Sequence, residues 1–355
     1  MRTPLLMRVL LAGFPVAASA AGPNLGTLLA DSGVTASGHL AATYTHGFND
    51  GQTLAYRAFD TDADSFEFNQ AMLTLAREPA DGFGGAATLL AGSDARAINA
   101  AYGNGSNADF ALEQAYLRYA HSGLTLVGGR FVTLAGAEVI DASADANISR
   151  SLLFQLAEPL VHTGVRASYV LGNATFYLGV NNGIYTGNAV DTNRQKTLEA
   201  GVALAPGGGI NLAVYDYYSR EGGAGLNYLD FVGSLQATEK LRFVLNADWF
   251  SQHSGSLGPA HVYGLAAYAD YTVNDRWQAT LRGEWLETRG IAMNVPAGGR
   301  ATLGEVTFTL GYSPAARFTL RGELRYDLGD RVYPDPGPGF ANTQGNVALQ
   351  ALYAF

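Results

Sequence analysis

The chain has 355 residues, of which 48% are apolar and only 15% charged, with 44 glycines, 19 tyrosines, 17 phenylalanines and no cysteine. This composition excludes a disordered chain, which would carry more charge and fewer aromatics, and it excludes disulfide staples and thiolate metal sites. A formal charge of −9 argues against a nucleic-acid partner.

At the N-terminus, Arg2 and Arg8 flank the start of an apolar run from Leu5 to Ala17 that closes in Ala18-Ser19-Ala20. These are the three regions of a secretory leader, so residues 1–20 are expected to be cleaved. Loss of the two arginines takes the net charge from −9 to −11 and leaves 21–33 as a periplasmic lead-in. No later stretch reaches the roughly 18 uninterrupted apolar residues of a membrane-crossing helix.

From 34 to 355 one pattern recurs, a run of alternating apolar and polar residues followed by a turn or loop. Side chains of a strand point alternately to opposite faces, so each run predicts a strand with one dry face and one wet one. The predicted strands are 34–46, 66–77, 83–92, 109–120, 124–131, 162–171, 174–182 and 195–205 in the first half. They continue at 209–219, 226–237, 241–251, 261–272, 276–287, 303–312, 317–328 and 343–355, sixteen in all, give or take two. Short connections such as 172–173 and 206–208 alternate with long ones such as 47–65, 93–108 and 132–161. Short periplasmic turns and long outer loops are the asymmetry of a bacterial outer-membrane barrel.

Aromatics bracket several dry faces: Trp277 and Trp285 enclose Ala279 to Gly283, and Phe318 and Tyr326 enclose Leu320 to Leu324. Bilayer interfaces select such rings, and a tilted strand needs about nine to eleven residues to cross the hydrocarbon. The last strand alternates through Tyr353 into a terminal Phe355, which resembles the closing-strand signal read by the barrel-assembly machinery. The fold class is therefore all-β, a transmembrane antiparallel β-barrel of about sixteen strands (14–18), with one domain over 34–355. A soluble sandwich would split into two domains and leave a linker, and a propeller would repeat every 40 to 50 or so residues; neither sign is present.

The alternation fails in one long interior stretch, 132–161, which is expected to fold back into the lumen. Val139, Ile140, Leu152, Leu153, Phe154 and Leu156 would pack on the wall there, while Glu138, Asp141, Asp145, Arg150 and Glu158 would face water. Across 129–166, Gly129-Arg130-Phe131, Gly136, Glu138, Asn147, Ser149-Arg150-Ser151, Phe154, Pro159, His162-Thr163-Gly164 and Arg166 resemble the hallmark region of the β-barrel porin-2 (OmpL-like) family. Residues 115–119 and 177–185 resemble its neighbouring strands, although Ile184 and Ala137 depart from the expected bulkier or aromatic residues. The resemblance implies a porin-like outer-membrane protein of Gram-negative bacteria and names no solute.

Candidate constriction residues are Arg118, Arg130, Glu138, Asp141, Asp145, Arg150, Glu158, His162 and Arg166, with the arginines forming a basic strip and the loop carboxylates facing it. The wet faces add Gln114, Tyr116, Arg282, Glu284, Arg321, Glu323 and Arg325 as lumen lining. His162 reads equally as a hydrogen-bonding residue at a strand start, and the loop arginines as pins to Glu138 or Glu158. Ser149 and Ser151 lie near His162 in the chain, but no Gly-x-Ser-x-Gly elbow exists, so no enzyme is expected. No metal or cofactor is expected either; Asp60, Asp62 and Asp64 lack the glycine and closing glutamate of an EF-hand loop. The expected function is passive diffusion of small hydrophilic solutes or ions through a water-filled lumen. Expected partners are outer-membrane lipid and lipopolysaccharide, the barrel-assembly machinery and the solutes, with homo-oligomerisation open. The rival reading is a non-conducting surface scaffold or adhesin.

Overall fold

The two-residue period makes these segments strands, because only an extended chain sends successive side chains to opposite sides. In a computed structural model, described over 25–49, 53–102, 108–185, 191, 193–221, 223–253, 259–290, 299–335 and 339–355, all sixteen predicted strands are present. The first eight are β1 (Thr35–Gly47), β2 (Ser65–Arg77), β3 (Gly82–Ala91), β4 (Phe110–His121), β5 (Leu124–Val132), β6 (Val161–Leu171), β7 (Ala174–Asn181) and β8 (Thr197–Gly207). The rest are β9 (Ile210–Glu221), β10 (Ala224–Gln236), β11 (Leu241–His253), β12 (Ala260–Asn274), β13 (Trp277–Arg289), β14 (Arg300–Ala315), β15 (Phe318–Pro334) and β16 (Phe340–Ala354). The expected leader, 1–20, lies outside the described residues. Short helices α1 (Leu25–Ser32), α2 (Ser93–Tyr102) and α3 (Leu152–Leu156) interrupt the pattern, α1 within the expected lead-in.

Each strand pairs antiparallel with its chain neighbours, and β1 pairs with β16 to close the barrel. Closure leaves no edge whose N–H and C=O groups would face hydrocarbon unpaired. At the seam the amide of Phe355 donates to Gly38 O at 2.8 Å and that of Gly38 to Phe355 O at 3.1 Å. Boundaries moved most at β14 to β16, where pairing runs on beyond the apolar band. There β15 reaches Pro334 through a register shift between Leu328 and Tyr333, with Arg331 at φ 56°. Period-two hydrophobicity marks only the part of a strand that touches lipid, so the sequence ended these strands early.

Alternation in sequence becomes alternation in exposure. Along β13, Leu281 is 49% and Trp285 47% exposed on the outer face, while Arg282 (0%) and Glu284 (8%) face inward. Trp277, Tyr326 and Tyr353 are exposed on the outer face, and Trp277 stacks on Tyr312 with ring centroids 4.4 Å apart.

Candidate functional site

Segment 133–160 joins β5 to β6 and is tied down through its own backbone. A helix N-terminus leaves amides without intrahelical acceptors. In α3 these are met by Ser151, whose Oγ accepts from Phe154 N at 3.1 Å, and by Glu284, whose two oxygens accept from Leu152 N and Leu153 N at 2.6 Å each. One turn earlier, Glu323 accepts from Ile148 N (2.6 Å) and Ser149 N (3.0 Å). Two arginines of the wall then donate to carbonyls of the same stretch. Arg282 reaches Ser149 O at 2.7 Å and Arg325 reaches Arg150 O at 2.5 Å. Glu284, Glu323, Arg282 and Arg325 are inward-facing residues of β13 and β15. The other edge of the segment bonds to the facing wall: Leu134 N donates to Tyr217 Oη (3.2 Å) and Ala137 N to Asn246 Oδ1 (2.6 Å).

Ion pairs link these contacts into one network. Arg282 pairs with Glu138 (2.7 Å) and Glu305 (2.6 Å), and Arg325 with Asp327 (2.7 Å). Within the segment, Arg150 pairs with Asp145 at 2.8 Å, donates to the carbonyls of Val139, Ile148 and Ile140, and lies over the rings of Phe59 and Phe154. Burial raises the Asp145 carboxyl to about 7, with Arg150 opposing that rise without cancelling it. Glu158 is pushed well above the usual carboxylate range by burial and by the nearby Asp248, Asp230, Glu138 and Glu284. Gly136 makes room for Glu158: its φ is +88°, and a Cβ there would lie 2.0 Å from Glu158 Oε2.

Two further segments pack on inward-facing residues. Arg57, in the β1–β2 connection, donates to Asp327 (2.8 Å) and Asn346 (2.7 Å). In α2, Asp94 accepts from Gln70 Nε2 (2.7 Å), and the Tyr102 hydroxyl accepts from Leu160 N (3.1 Å). In one apolar cluster Tyr56, Leu152, Leu153 and Ile184 meet Tyr228, Val262, Leu286 and Leu303, and in a second Ala95, Ile98 and Tyr102 of α2 meet Phe59, Leu90, Ile140 and Phe154. As a result every strand contributes a buried inward residue. In chain order these include Thr43, Gln70, Thr88, Glu113, Phe131, His162, Asn181, Glu199, Tyr217, Asp230, Asn246, Ala266, Arg282, Thr307, Arg325 and Gln350.

A closed barrel with a polar, charged interior is the architecture of outer-membrane channels, and the family model for Putative beta-barrel porin-2, OmpL-like, matches residues 33–355. The chain belongs to this porin family. Among solved structures, the barrel is similar to the outer-membrane channel DcaP of Acinetobacter baumannii, with 14% identity, TM-score 0.63, and 91% of this chain and 97% of that one covered. It is also similar to OmpT of Vibrio cholerae in its trimer form (13% identity, TM-score 0.63, 91% and 99% covered). A third is the anion-selective porin from Comamonas acidovorans (12% identity, TM-score 0.61, 91% and 99% covered). At these identities the likeness carries the fold alone. No curated protein sequence matches the chain. Family and fold make this an outer-membrane protein.

In this porin-2 barrel the expected basic strip does not assemble. Arg118 lies by the β2–β3 turn, where it donates to Pro79 O (2.6 Å) and faces Glu78 beside Tyr116. Arg130 pairs with Thr163, one position from the Phe131–His162 pair, so alternation sets it on the opposite face of β5; it donates to Glu113 O and Tyr102 O at 3.0 Å each. Arg166 binds both oxygens of Glu199 and lies 4.4 Å from the Phe131 ring centroid. Each guanidinium is taken up by its nearest carboxylate or carbonyl, so the four arginines share no surface. Asp141 faces His39 at 3.2 Å, Arg321 donates to Ala142 O at 2.9 Å, and Gln114 donates to Thr88 at 3.2 Å. His162 stacks on Tyr217, 5.0 Å between centroids, away from Ser149, which meets Arg282 and Arg325. Asp60 turns to Arg57, 3.7 Å away. Among the described residues no three His, Asp or Glu side chains converge to hold a metal.

Proposed function

We propose that this barrel is a porin through which small hydrophilic solutes diffuse passively, and that segment 133–160 forms its constriction. The observation that carries the reading is the network from Glu138 to Arg325: wall charges on β13 and β15 hold the backbone of a segment rooted at β5 and β6. Cavities of about 470 and 260 Å³ support it from the short-turn side; both reach Ala137, the larger also Glu138, Asp145 and Asn147. Fixed charges at the narrowest point set the field that a solute meets. Homo-oligomerisation is part of the proposal, since the similar OmpT of Vibrio cholerae is solved in a trimer form. So is recognition of the last strand by the assembly machinery, with Phe355 paired at the seam.

One observation favours the rival. Every strand contributes a buried inward residue, which is what a scaffold barrel filled by its own segments would have. Single-channel recording of the refolded mature protein in a planar bilayer separates the two. Stable conductance steps support the porin; a folded but silent barrel supports the scaffold.

A further inference from the structure

The buried arginines inside the barrel are not alike. Arg57, Arg150, Arg166, Arg282 and Arg325 each hold a carboxylate at 2.7–2.9 Å. Arg321, an inward residue of β15 that is 9% exposed, forms no ion pair among the described residues. Its Nη1 donates to Ala142 O (2.9 Å) and to Gln350 Oε1 (3.2 Å), which leaves the edge made by Nε and Nη2 without a protein acceptor. On Arg166 this same edge grips both oxygens of Glu199. Two parallel N–H groups on a planar cation match the geometry of a carboxylate.

The acids whose charge reaches Arg321 are Asp145, Glu323 and Asp141, and each is already engaged. Asp145 pairs with Arg150 at 2.8 Å, and Glu323 accepts from Ile148 N, Ser149 N and Thr309 Oγ1. Asp141 accepts from Ser143 N and Oγ (2.7 and 2.6 Å) and faces His39. Arg321 also lines the 470 Å³ cavity on the short-turn side. Neutral hydroxyls and amides share that lining: Ser143, Asn147, Gln278, Thr280, Thr309 and Thr319. Of the other acids there, Glu138 is held by Arg282 and Asp270 faces Arg242 at 3.7 Å, while Asp275 and Arg276 form the β12–β13 turn. A buried cation without a counter-charge is offset by one negative charge, and the carboxylates around it oppose a second.

Building on the porin reading above, we infer that Arg321 forms a subsite for small organic monocarboxylates on the short-turn side of the constriction. The edge made by Nε and Nη2 takes the carboxylate, and the neutral lining meets the rest of the solute.

The test is a titration of the reconstituted mature protein with benzoate, with benzamide as the uncharged control, for the wild type, Arg321→Gln and Arg321→Lys. Single-channel current in KCl is one readout. The other needs no conduction: tryptophan fluorescence of the folded protein in micelles, since Trp277 also lines the cavity. The expected result is a saturable change with benzoate and none with benzamide. The half-effect concentration should rise roughly tenfold or more in Arg321→Gln. Arg321→Lys, which keeps the charge and loses the fork, should fall between, and it leaves a reading if Arg321→Gln does not fold. Folding is checked by the mobility shift of unboiled against boiled protein. A conducting wild type that benzoate does not affect saturably, or variants that respond as the wild type does, overturns the inference and leaves the porin standing. A folded, silent wild type overturns the porin reading and with it the passage of the solute, and the fluorescence titration then decides the subsite alone.

Discussion

Arg282 sits between two carboxylates, Glu138 of the segment and Glu305 of the wall, and is fully buried. Arg282→Met keeps much of the volume but leaves buried Glu138 without its cation and Glu305 with Arg325 alone, 3.6 Å away, which costs about 3–5 kcal/mol. Denaturant unfolding in micelles should show a loss of that size. Gly136 gives a second contrast at this scale. A Cβ there meets Glu158 and strains a φ of +88°, whereas at Gly172, φ +59°, nothing lies within 4 Å. Gly136→Ala should therefore lose about 1–3 kcal/mol and Gly172→Ala clearly less, measured in the same unfolding experiment. The residue types at these positions were legible: Glu138, Arg150, Glu284 and Arg325 read as charges on wet or irregular stretches. Their partners were not. A glutamate that accepts from the amides of Leu152 and Leu153, 131 or more positions away, leaves no pattern in the sequence. Arg57, in the run Ala-Tyr-Arg-Ala-Phe, gave no sign that it would reach Asp327.

Among elements, the strands were readable because lipid on one side and polar groups on the other impose a period of two. The helices were less so, although Ala95, Ile98 and Tyr102, the buried face of α2, follow a helical spacing that could have been found. The five residues of α3 are too few for any period; they are helical because Ser151 and Glu284 satisfy their first amides. It follows that α3 depends on its anchor. In Glu284→Ala, segment 133–160 should loosen and expose the peptide bond after Arg150, now buried, to trypsin. Limited proteolysis of folded protein should cut the variant there and spare the wild type; equal resistance of both would show that Glu284 is dispensable.

For the whole molecule, Asp60, Asp94, Asp145 and Glu158, all outside the strands, have raised pKa values. Burial lifts Asp94 to about 6 and Asp145 to about 7, and it raises Asp60 and Glu158 as well. The folded state therefore holds more protons than the unfolded one between their ordinary values and these, so stability falls as pH rises through that window. The thermal midpoint should be higher near about pH 5 than near about pH 8, and Asp145→Asn should flatten the difference. The segment that carries two of these acids also has a mechanical consequence. It springs from β5 and β6 and is bonded to β13 and β15; β13 is eight places from β5 in a ring of sixteen. A hoop braced along a diameter cannot flatten into an oval without breaking the brace. Lateral pressure from the surrounding bilayer is thus resisted by the crossbar as well as by the wall, and any motion that releases the crossbar also frees the barrel to change its cross-section.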